Sequence, residues 1–81
     1  MQVGILKEST GWTVFLERAD GTRFGGHYVS GRHHSSPYET AKRLAIQHGE
    51  PGKPLPIVDK GYSPDYEREI QAIANDPNFM M

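Results

Sequence analysis

The residues best equipped for chemistry lie together in GHYVSGRHHSSPYE, residues 26–39, which holds three of the chain's four histidines beside an arginine and two tyrosines. Imidazoles at this density first suggest a zinc or nickel site, with His27, His33 and His34 as ligands and His48 as a fourth. The spacing speaks against it. His33 and His34 are adjacent, so their side chains diverge. The helical His-x-x-x-His spacing is absent, and no carboxylate is placed as an evident partner. Solvated loop histidines are the plainer reading, and no metal ligand is assigned. Serine chemistry is weaker still. Ser35 and Ser36 follow His34, but a nucleophilic serine needs its base across space and a third group to orient that base. Ser36 is better used as a helix cap. There is no Gly-x-Ser-x-Gly elbow and no phosphate-binding loop, and the run from Gly21 to Gly26 is too short and strand-like to cradle phosphate. No catalytic residue is assigned, an enzyme is not expected, and no small-molecule cofactor is implied.

The elements around this stretch have readable signals. Val3 and Ile5 alternate with Gln2 and Gly4, which predicts a half-buried strand over about residues 2–8. Glu8 to Gly11 reads as a turn. WTVFLER follows, with Trp12, Val14 and Leu16 on one face and Thr13, Phe15 and Glu17 on the other. Asp20-Gly21 is a hairpin turn, glycine supplying positive φ. Arg23 to Val29 is a third strand, and Gly25-Gly26 marks a bulge or a close backbone approach. Ser36, Pro37 and Glu39 then form a helix start, with Tyr38, Ala41, Leu44 and Ala45 as its inward stripe. Gly49 and Pro51 stop it. Residues 55–60 are a candidate edge strand among prolines. Ser63-Pro64-Asp65 starts a second helix to about Asn75, with Tyr66, Ile70, Ile73 and Ala74 on one face. The expected fold is α+β: an antiparallel β-meander of three strands, with a candidate fourth, packed against one α-helix, plus a second C-terminal helix. Residues 1–76 form one small domain and 77–81 a frayed C-terminal tail.

Composition narrows the function classes. The chain has 81 residues and no cysteine, which removes disulfide, thiolate-zinc and cysteine-nucleophile chemistry. The N-terminus lacks the pattern of a signal peptide, and no apolar run has the length to cross a bilayer. The expected setting is cytoplasmic, with no membrane partner. Nine Lys and Arg stand against ten Asp and Glu, a formal net charge of −1, whereas dedicated nucleic-acid binders are usually basic.

Two binding readings remain. In the first, the chain is a non-catalytic interaction module that binds a protein partner or self-associates. Phe15 on the strand face opposite Trp12, and Tyr28, Arg32, His33 and His34 near the loop, are residue types enriched at interface centres. In the second, the hairpin of strands 2 and 3 with the 32–34 loop binds nucleic acid, Arg23 and Arg32 supplying contacts. The layout of Gly11-Trp12, Asp20-Gly21 and a helix from Pro37 is distantly similar to the three-stranded arm-binding domain of tyrosine integrases and to the small HicB-type antitoxin fold. Neither is assigned, because no diagnostic motif accompanies the layout. A short cysteine-free chain of this kind is typical of accessory or regulatory proteins of microbes and phages.

Overall fold

The structure, a computed structural model, describes residues 1–32 and 36–75. The expected tail at 77–81 lies outside the described residues. The elements run β1 (Gln2–Lys7), β2 (Gly11–Glu17), β3 (Arg23–Ser30), α1 (Pro37–His48), β4 (Ile57–Tyr62) and α2 (Pro64–Ala74). The sheet order is β3-β2-β1-β4. The first three strands form the expected antiparallel meander, with Val3 opposite Leu16, Ile5 opposite Val14 and Trp12 opposite Val29.

The fourth strand exists, but it adds beside β1 in parallel. A parallel neighbour needs a long crossover, and the segment containing β2, β3 and α1 provides it. Two backbone bonds hold the return: Leu55 N–H donates to Ala45 O (3.0 Å) and Val3 N–H donates to Pro56 O (2.9 Å). Pro54 and Pro56 precede the strand, where a missing N–H does no harm, and the strand lies at the sheet edge.

Local chemistry explains the joints. Gly21 closes the β2–β3 hairpin at φ 90°, a left-handed conformation that glycine adopts without strain. The pairing of β2 with β3 shifts register between Val14 and Leu16, and the bulge opposite contains Gly25 at φ 63°. Helix α1 starts on Ser36, whose Oγ accepts from Tyr38 N–H at 3.2 Å.

The core is the seam between α1 and one sheet face. Val3, Ile5, Val14, Leu16 and Val29 meet Ala41, Leu44 and Ala45, with Trp12, Phe24, Leu55 and Ile57 around the edge. Alanines at the centre of the helix stripe let its backbone come close to the sheet. Tyr38, expected on that stripe, is instead 50% exposed. Pro37, at the first helical position, takes the buried place and turns Tyr38 to the flank.

Among the described residues, no helix packs on the other sheet face. Phe15 lies there and is still only 4% exposed. Its ring covers Gly4, the residue opposite it on β1. A Cβ on Gly4 would sit 2.4 Å from Phe15 Cζ, so the glycine is the seat of the ring. Gly4→Ala is therefore expected to destabilise the fold by displacing Phe15, and Phe15→Leu is expected to recover part of that loss. Leu16→Ala should cost about 2–5 kcal/mol through its cavity, and Trp12→Ala less, since Trp12 is only half-buried. Urea denaturation of the four single variants and of the Gly4→Ala/Phe15→Leu double variant checks this. Strict additivity of Gly4→Ala and Phe15→Leu would contradict the seating of the ring.

Candidate functional site

The surface available for binding is decided by which side chains the sheet uses internally. Glu17 is 7% exposed and its two carboxylate oxygens accept three side-chain bonds. The donors are Gln2 of β1 (2.8 Å), Arg23 of β3 (3.0 Å) and Lys60 of β4 (3.2 Å). One residue of β2 is thus bonded to each other strand. Arg23 also lies over the Phe15 ring, 4.6 Å from its centroid, while Arg18 covers Phe24 at 4.0 Å.

A second carboxylate organises the opposite end of the same face. Glu8 accepts from Thr13 Oγ1 (3.1 Å) and from Ser63 Oγ (2.8 Å). Ser63 is 4% exposed and its backbone N–H donates to Lys7 O at 2.9 Å. Its Oγ also accepts from Tyr66 N–H at 3.1 Å, which caps α2. Asp65 and Glu67 add negative charge to the first turn, where the helix dipole favours it. The root of α2 is therefore fixed.

Beyond its root the helix is bare. None of its residues is buried. Ile70 is 38% and Ile73 48% exposed. These side chains and the half-buried Tyr66 share one stripe at i, i+4, i+7. At 100° per residue, Asp65 and Glu69 edge that stripe on one side and Glu67 on the other. The stripe continues through Tyr62, whose ring meets Tyr66 edge-on at 5.2 Å, into an open groove of about 450 Å³. Trp12, Pro37 and Tyr38 line that groove with Tyr62, and Lys7 Nζ sits 4.4 Å from the Trp12 ring centroid.

The contact residues expected from the sequence fall in different places. Phe15 and Arg23 are brought together: Phe15 is buried within the face, and Arg23 lies over it, exposed and paired with Glu17. Tyr28 is exposed, with its hydroxyl bonded to Thr10 Oγ1. Arg32 is exposed beyond the end of β3, its N–H donating to Ser30 Oγ at 3.2 Å. His33 and His34 lie outside the described residues. Periodicity puts Tyr66, Ile70 and Ile73 on one face of α2 but does not say what, if anything, covers that face. Gln2, Thr13 and Glu17 on the Phe15 side were the missed signal, since a covering helix would have had to bury them. No helix among the described residues is long and apolar enough to cross a membrane.

The Glu17 carboxyl titrates below the ordinary glutamate range, first because of Arg23, then Gln2, with Lys60 adding to both against partial desolvation. Asp20 is lowered too, chiefly by the Thr22 hydroxyl and then by the Thr22 N–H. A carboxyl lowered in the folded state contributes stability that is complete above its unfolded value, about 4.3 for glutamate, and is lost as pH falls through the folded value. Glu17→Gln should thus lower stability at neutral pH and flatten the acid decline, with Asp20 supplying the remaining slope. Melting curves from neutral to acidic pH measure this, and an equally steep decline in the variant would contradict it. The chain matches no family model, and no curated protein or solved structure is significantly similar to it.

Proposed function

We propose that this chain is a non-catalytic interaction module that binds another protein, with α2 as its contact element and the Trp12–Tyr38–Tyr62 groove as the adjoining shelf. One observation carries the reading: a capped, anchored helix presents an apolar stripe that its own domain leaves uncovered. An isolated helix of fewer than about 12–15 residues is marginal in water. Helix α2 has 11. Its exposed Asp65–Arg68 pair adds little. A surface that covers the stripe would supply the missing stabilisation. The helix-in-groove mode uses anchors at this same spacing. The acids beside the stripe favour a partner whose apolar groove has basic edges.

The nucleic-acid reading has less support. Arg18 and Arg23, the hairpin arginines, lie against Phe24 and Phe15, and Arg23 is also paired with Glu17. The exposed helix α2, at the opposite end of the sheet from this hairpin, is edged by acids and adds no phosphate-binding surface.

Immobilised protein and its Ile70→Glu variant, exposed to a cell extract, distinguish the readings. The wild type is expected to retain a protein that survives high salt, and the variant to lose it. Retention of nucleic acid that salt strips, unaffected by Ile70→Glu and weakened by Arg32→Ala, would overturn the protein reading.

A further inference from the structure

The surface proposed to cover α2 combines apolar and basic groups, and the chain carries exposed apolar and basic side chains together on its first helix. The outer side of α1 presents Tyr38 and Ile46, 50% and 69% exposed. Lys42 lies between them on the same i, i+4 row, and exposed Arg43 stands beside Ile46. Glu39 is the one acid on this side, near the end of the row. The two helices are nearly equal in length, 12 residues in α1 and 11 in α2. Among the described residues they form no extensive packing on each other within one chain, and the Ser63 anchor sets where α2 departs.

We infer that α2 of one copy docks on the outer face of α1 of a second copy and that the second copy's α2 returns the contact. This deepens the reading of α2 as a docking element by naming its occupant. Tyr66, Ile70 and Ile73 meet Tyr38 and Ile46, and Glu69 at the middle of one stripe meets Lys42 and Arg43 at the middle of the other. Charge decides against the simpler pairing of α2 with α2, which would bring acidic edges to acidic edges. Reciprocal docking closes on itself in a two-fold dimer, so it gives a pair rather than a filament.

Light scattering coupled to size exclusion, over a wide concentration range, tests the inference. The wild type is expected at twice the chain mass. Ile46→Glu and Ile70→Glu each alter an exposed side chain, so the sheet domain stays folded by its near-ultraviolet spectrum. Each is expected to weaken association by about tenfold or more. An equimolar mixture of the two is expected to associate more tightly than either alone, because the heterodimer keeps one interface in which both helices are unaltered. Lys42→Glu is expected to weaken the dimer and Glu69→Lys to restore it in the same chain. A dimer lost with Ile70→Glu but indifferent to Ile46→Glu would overturn docking on α1. A wild type that is monomeric throughout would overturn self-association. If such a monomer still captures a protein through Ile70, the interaction-module reading stands without this partner; if Ile70→Glu changes nothing in capture either, both fall.

Discussion

The sheet depends on one carboxylate. A four-stranded sheet with a single covering helix has one face held by apolar contacts and one that must hold itself. Glu17 does this at one end by accepting from a residue on each of the other strands. Glu8 does it at the other end, joining Thr13 of β2 to Ser63 at the root of α2. Between them Phe15 lies on Gly4 with the Arg23 guanidinium above it. Burying this face under a helix would remove water from two carboxylates, a lysine and an arginine, a large desolvation penalty for bonds already made. The face is finished without a second layer.

That constraint leaves α2 without a place on its own domain. The molecule is correspondingly long, with a radius of gyration of 15.2 Å and extents of 55 × 31 × 15 Å. A compact chain of this length would have a radius near 12 Å, about 2.2·N^0.38. Ser63 fixes where the helix begins, and no residue of the helix is buried among the described residues. Under the proposed docking, a helix so placed would gain much of its stability from the surface that covers its stripe, and folding of the helix and binding would be one equilibrium. The acids at the stripe's edges would then select among possible covers by charge.

Much of this architecture is legible in the residues. Alternation in β1 and β2, the Asp20-Gly21 turn and the two Ser-Pro helix starts place the meander and both helices within a residue or two, because each signal is local. The direction of β4 is not local. Residues 55–60 read as an extended edge, and only the long-range pairing with β1, which begins with the Val3 N–H donating to Pro56 O, makes it parallel. Helix periodicity likewise shows that Tyr66, Ile70 and Ile73 share a face, but not what lies opposite. Phe15 reads as a contact residue because its strand partner Gly4 has no side chain, and the close seat this creates is invisible in either strand taken alone. The candidate surface is therefore only partly readable: the shared face of Tyr66, Ile70 and Ile73 is evident in the sequence, whereas its exposure and the Tyr62 groove beside it are not.

Amide hydrogen exchange along α2, followed from dilute to concentrated protein, tests the central claim most directly. Protection of residues 66–74 is predicted to rise with concentration while that of β1 and β2 stays constant. Equal protection of α2 at all concentrations would mean that the helix is stabilised within its own chain, and would contradict the account.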